Sequence, residues 1–362
     1  MTNTLSFRLP RPLASLLLLG LLACSNSTPG PKTQPPVTPP VTPPTPTTTF
    51  TNPLLSVGPD PWVFQKDGFY YYMHTTGGDV TIRKTAKMSE LGTAPSFQVW
   101  RAPAEGQNSR NVWAPELHFV AGKWFIYYTA GPGDLGQQRS WVLENSAADP
   151  TTGTWINRGR MANPEQDHWS IDMTVFEQNG KTYALWSGHE NGSNNEQRLY
   201  ISAMSDPITL TGPRVELSRP TLNWERNGFP PVNEGPQIVK HGGKTNLVYS
   251  GSHCSTDDYT LGLLSCASTA DPMLPASWTK NPQPVFVKNG TSRAYGPGHN
   301  GFFKSKNGTQ DWLIYHANAN PGEGCGDRRS PRMQPFTWNA DDTPNFGTPV
   351  VMGAALARPG GE

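Results

Sequence analysis

The stretch Asp60–Met73, read as DPWVFQKDGFYYYM, sets a short apolar strand, a Gly turn and a second, aromatic-rich strand behind an acidic residue. Four more stretches follow the same plan: Glu116-LHFVAGKWFIYYT, Asp172-MTVFEQNGKTYALWS, Glu234-GPQIVKHGGKTNLVYS and His299-NGFFKSKNGTQDWLIYH. Their leading residues lie 56, 56, 62 and 65 positions apart, the length of a whole small sheet rather than of a hairpin. Repeats of this size, each opening on a strand pair, predict an all-β chain folded as a five-bladed β-propeller.

In a propeller the first strand of each blade runs nearest the axis, so equivalent residues converge on one end of the central channel. The repeats therefore gather Asp60, Glu116, Asp172, Glu234 and His299. Four carboxyls and an imidazole in a small space are poor packing material, because unpaired buried charge is costly and like charges repel. Such a ring points to chemistry or ion binding.

The amino-terminal segment reads differently. Arg8 and Arg11 precede an apolar run, Leu13 to Ala23, too short to span a bilayer and suited to the core of an export signal. It ends in Leu21-Leu22-Ala23-Cys24, similar to the lipobox of bacterial lipoproteins, so residues 1–24 are expected to be a signal peptide and Cys24 the anchored first residue of the mature chain. Residues 25–49 are mostly Pro, Thr and Ser and carry no apolar period, which predicts an extended tether. Residues 50–362 carry the repeats throughout and are read as one catalytic domain.

Charged residues make up 16% of the chain, the formal net charge is +1, and no basic run occurs, which argues against a nucleic-acid partner and for a neutral substrate. Many of the 12 Trp, 11 Tyr and 14 Phe fall in the second strands of the repeats; most aromatics should pack between blades and the rest could stack on sugar faces. Apart from Cys24, the cysteines are Cys254, Cys266 and Cys325. An exported chain can keep a disulfide, but the sequence leaves the pairing open.

Glycoside hydrolysis needs one protonated and one ionised carboxyl group. Asp60 and Glu234 lie in repeats one and four, on opposite sides of a five-fold ring, with room for a water and a sugar between them. That separation predicts inversion of configuration. Asp172, in the repeat next to Glu234, is placed to raise the acid's pKa by like charge.

The runs GPDPWV (58–63), NVWAPELHF (111–119), SIDMTVF (170–176), NEGPQIV (233–239) and GPGHNGFF (296–303) together resemble, in order, the motifs of glycoside hydrolase family 43. The resemblance covers residues 52 to about 351. It implies inverting hydrolysis of arabinofuranosyl or xylosyl linkages, with Asp60 as general base, Asp172 as pKa modulator and Glu234 as general acid. By the same resemblance His299 is expected to help hold a metal, often calcium, in the axial channel.

Trp113 and Glu116 are candidates to line the pocket, as is His74 just past the second strand of the first repeat. The closing segment GCGDRRSPRMQPFTW resembles one that carries a substrate-facing arginine; Arg332 fits best by position, with Arg328 and Arg329 close by. The motif set is closest to the family's α-L-arabinofuranosidases and exo-acting arabinan-degrading members, with a β-xylosidase or an inactive carbohydrate-binding propeller as alternatives. The expected partner is an oligo- or polysaccharide, no organic cofactor is called for, the membrane is reached only through Cys24, and a monomer is expected.

Overall fold

The inner strands follow from the repeated apolar runs: Trp62–Lys66, Arg110–Val120, Ser170–Gln178, Asn233–His241 and Tyr295–Lys304. Each is hydrogen-bonded to the strand that follows it, the second to the third and the third to the fourth, giving five antiparallel four-stranded sheets built from consecutive chain. The computed structural model describes residues 48–162, 167–190, 193 and 195–362, and these described residues form one compact unit. The expected signal peptide, residues 1–24 with Cys24, and all but the last two residues of the expected tether lie outside the described residues. The tether's last residue belongs to the fold, since Thr49–Thr51 already pairs with Ala355–Ala357.

Five apolar clusters hold the sheets together, one at each junction between neighbouring blades. Blades one and two share Tyr71, Met73, Ile82, Leu117 and Trp124; blades two and three share Phe125, Tyr127, Val175 and Trp186. Blades three and four meet through Leu185, Ile201, Leu247 and Tyr249, and four and five through Val248, Leu263, Leu313 and Tyr315. Blade five returns to blade one through Phe303, Trp312 and Ile314 against Val63, Tyr70 and Tyr72. Burying one such large side chain stabilises by about 1.5–3 kcal/mol, so the aromatic second strands supply the cohesion between blades.

The ring closes on blade five through a strap. The Asn52 side chain donates to Met333 O at 2.8 Å and accepts from Met333 N at 3.0 Å. Leu54 N donates to Pro331 O and Gly58 N to Arg329 O. Two residues after Gly58, the chain reaches Asp60.

Alignment in space corrects the alignment read from the leading charges. The equivalent residues are Asp60, Ala114, Asp172, Gly235 and His299, which all hold positive φ, at 55, 42, 57, 56 and 47°. Glu234 precedes this position by one residue and Glu116 follows it by two. In blades two to five the strand pairing shifts register at this point, as between Ile171 and Thr174 or between Glu234 and Gln237. A bulge of this kind bends the strand and re-aims its side chains. Asp and His tolerate the left-handed region better than most residues and Gly does so freely, which accounts for four of the five residues found there.

Candidate active site

A cavity of about 1170 Å³ opens at one end of the channel and is lined from all five blades, with Asp60, Trp113, Asp172, Glu234, His299 and Arg329 in its wall. A volume of this size admits a short oligosaccharide. The three predicted catalytic carboxyls are thus brought together, with His299 and Trp113 beside them.

Asp60 is buried and held from several directions. Arg329 Nη1 donates to its Oδ1 at 2.8 Å and Thr75 Oγ1 to its Oδ2 at 2.6 Å. Thr75 also accepts the Ala114 N–H at 2.7 Å, locking the contact to blade two. Burial alone would push the Asp60 carboxyl up, but the Arg329 charge and the Thr75 hydrogen bond overcome it and hold the group well below the usual carboxylate range. Asp60 is an anion at neutral pH.

His316 Nδ1 accepts the backbone N–H of Asp60 at 3.0 Å, so its 3.4 Å approach to Oδ1 is not an ion pair. Burial, with Arg329 next to it, holds His316 well below the ordinary imidazole pKa, in agreement with an accepting nitrogen. His299 Nδ1 lies 3.3 Å from Asp60 Oδ1, and its pKa is also lowered by burial.

Glu234 is pushed up to about 7, first by burial and then by the Asp60 charge, against opposing pulls from a Tyr259 hydrogen bond and Arg329. Asp172 is raised well above its ordinary range, by burial first and by Glu234 second. Its Oδ2 accepts the Gly235 N–H at 3.1 Å, and its own N–H donates to Thr129 Oγ1 at 3.1 Å. Burial is therefore the leading cause of the raised acid, where the sequence reading gave that part to Asp172. The two neighbouring carboxyls titrate as a pair, and their upper pKa belongs to both.

Gly235 has two reasons to be glycine. Its φ is 56°, and a Cβ there would stand 3.2 Å from His299 Nδ1. Tyr259 needs a similar clearance, because a Cβ on Gly298 would meet its ring at 2.4 Å. The Tyr259 ring lies parallel to His316, centroids 5.6 Å apart, so the group touching the acid packs on the group touching the base.

Other expected pocket residues lie elsewhere. Glu116 is buried below the cavity wall, where Gln237 Nε2 donates to its Oε1 and His118 Nε2 lies 3.1 Å from its Oε2. The two-residue offset from Ala114 carries it one step down the channel. His74 packs on Tyr72 outside the lining, with a pKa lowered to about 4 by burial and Arg83. Arg332 is fully buried against Asn318 O and Met352, and Arg329, three residues earlier, is the arginine in the cavity. Thr75, Tyr259 and His316 have no signal in the sequence, because each reaches the site by a contact that no local motif encodes.

Cys254 and Cys325 form a disulfide at the cavity wall, joining blade four to blade five across 71 residues, and Cys266 is a buried free thiol. His253 lies close to the two sulfurs, but sulfurs bonded to each other are not thiolate ligands. The calcium expectation meets a shortage of oxygen donors. A calcium ion takes six to eight oxygens, and Glu116, the carboxylate whose charge acts on His299 from below, is engaged by Gln237 and His118. Among the described residues, the side chains around His299 do not compose a calcium cage.

An anionic carboxylate and a protonated one, facing a shared cavity at the mouth of a propeller, define a glycoside hydrolase. The chain belongs to glycosyl hydrolases family 43, whose model matches residues 50–344. It is 40% identical over 361 residues to the extracellular exo-α-(1→5)-L-arabinofuranosidase of Streptomyces avermitilis, covering 97% of this chain and 72% of that one. It is also 40% identical over 273 residues to the Streptomyces chartreusis protein of the same name, covering 74% and 82%. The crystal structure of an α-L-arabinofuranosidase from Lactobacillus brevis superposes with a TM-score of 0.79 at 34% identity, over 84% of this chain and 98% of that one. Among the described residues no helix is long and apolar enough to cross a membrane.

Proposed function

We propose that the protein releases terminal α-L-arabinofuranosyl residues from arabinan-type polysaccharide by a single inverting displacement. The observation that carries this reading is that Asp60, paired with Arg329, and Glu234 line one cavity from blades one and four; the names of the similar proteins support the choice of sugar. Asp60 takes a proton from water as the water oxygen bonds to the anomeric carbon. The glycosidic bond breaks on the opposite face, and its oxygen takes the proton of Glu234. Exchange with solvent then restores both groups. Arg329 and Thr75 keep the base ionised, while burial keeps the acid protonated near neutrality.

Export and anchoring through Cys24 belong to the same proposal, resting on the LLAC sequence at 21–24. The polysaccharide is outside the cell, and a tethered enzyme would meet it there. Mass spectrometry of the mature amino terminus tests the anchor, a diacylglyceryl group on Cys24 being the expected product.

The activity is tested by proton NMR during hydrolysis of an aryl α-L-arabinofuranoside and of linear 1,5-arabinan. The β-anomer of L-arabinofuranose should appear first, before mutarotation. Initial release of the α-anomer would sink the single-displacement roles of Asp60 and Glu234. Cleavage of aryl xyloside alone would move the substrate to xylose.

A further inference from the structure

Glu234 protonates the departing oxygen, so the part of the substrate that leaves lies toward the blade-four side of the cavity. That side carries an unusual residue. Phe229, five residues before Glu234, is 74% exposed and lines the cavity. Of the exposed large apolar side chains among the described residues, only Phe229 and Leu135 line it, and Leu135 comes from blade two.

The backbone under Phe229 is held in place on both sides. Asn227 O accepts the His253 N–H at 2.8 Å, and Asn227 N donates to Ser252 Oγ at 3.1 Å. Pro231 O accepts the Gln197 N–H at 3.0 Å. Gly228, with φ 83°, packs so closely on His253 that a Cβ would stand 2.7 Å from the histidine Cβ. His253 adjoins Cys254, whose disulfide to Cys325 ties this wall to blade five. The aromatic ring is thus presented to the cavity from a braced loop, which limits the ordering entropy that binding must overcome.

A phenyl ring offers no hydrogen bond. The ligand it suits presents a face of C–H groups, as a sugar ring does. Resting on the arabinofuranosidase reading, we infer that Phe229 is the platform on which the first sugar of the leaving group stacks, so that it sets the preference for oligosaccharides over simple alkyl glycosides.

The test compares methyl α-L-arabinofuranoside with α-1,5-arabinotriose in the wild type, Phe229→Ala and Phe229→Trp. Phe229→Ala should lower kcat/KM on arabinotriose about tenfold, the loss expected when a central aromatic contact is truncated, mainly through KM. The methyl glycoside, which has no second sugar, should be hydrolysed as before, and Phe229→Trp should restore arabinotriose cleavage. Equal losses on the two substrates, or an unchanged KM for arabinotriose, would overturn the platform while leaving the activity in place. A wild type inactive on both substrates would instead remove the arabinofuranosidase reading, and this inference with it.

Discussion

Arg329 Nη1 lies 2.8 Å from Asp60 Oδ1, across 269 residues of sequence, and this contact joins the last blade to the first at the catalytic base. Its charge favours the ionised carboxylate. Removing it lets Asp60 bind a proton more tightly, so the acidic limb of the kcat/KM profile should move to higher pH in Arg329→Met, by roughly one unit or more. The profile is measured with an aryl arabinofuranoside. An unmoved limb with lower kcat would assign Arg329 to substrate contact instead.

The acid and base should separate by leaving group. Glu234→Gln should keep much of its activity on a dinitrophenyl glycoside, whose phenolate departs without help, and lose about 10²–10⁴-fold on oligosaccharides. Asp60→Asn should fail on both. A uniform loss in Glu234→Gln would take the acid's role from it.

Asp172 and Glu234 share one upper titration, and the raised state of the pair sets the basic limb. Deleting one ionisable member removes like-charge repulsion, so the remaining acid should lose its proton at lower pH. In Asp172→Asn the basic limb should shift to lower pH. Reduced rate with the limb unmoved would leave Asp172 only its hydrogen bond to Gly235.

Gly235→Ala should lower both stability and rate. The left-handed backbone costs an alanine about 1–2 kcal/mol, and the added methyl presses on His299 beside Asp60. Thermal unfolding and steady-state kinetics read the two effects. A variant with wild-type values of both would show that the inner strand does not require glycine here.

The five blades were legible because apolar alternation and turn glycines recur at the spacing of a sheet. The fine alignment was not, because the charges stand at Glu116 and Glu234, whereas backbone conformation marks Ala114 and Gly235. The dipeptides Asp60-Pro61, Ala114-Pro115 and Gly235-Pro236 carried that signal in the sequence. Asp60, Asp172 and Glu234 stood out through local motifs, and the structure places all three in one cavity. The sequence does not separate Arg329 from Arg332, because neighbouring residues on a strand face opposite sides and Arg329, just before the strand Ser330–Trp338, has no fixed parity. The Cys254–Cys325 bond was equally hidden, since it depends on two loops meeting across a blade junction.

The strap from Asn52 to Gly58 has a kinetic meaning. Each blade is made of consecutive chain and can pair its strands locally, whereas the Asn52 and Met333 contact spans 281 residues. Contacts of that sequence separation carry the largest loop-closure entropy and tend to form late. Asp60 and Arg329 sit on that seam, so the nucleophilic water's partner is the last part of the machinery to be assembled. During refolding, tryptophan burial should therefore recover before hydrolysis does, and a ring with its blades intact but its seam open would be a folded protein without a base.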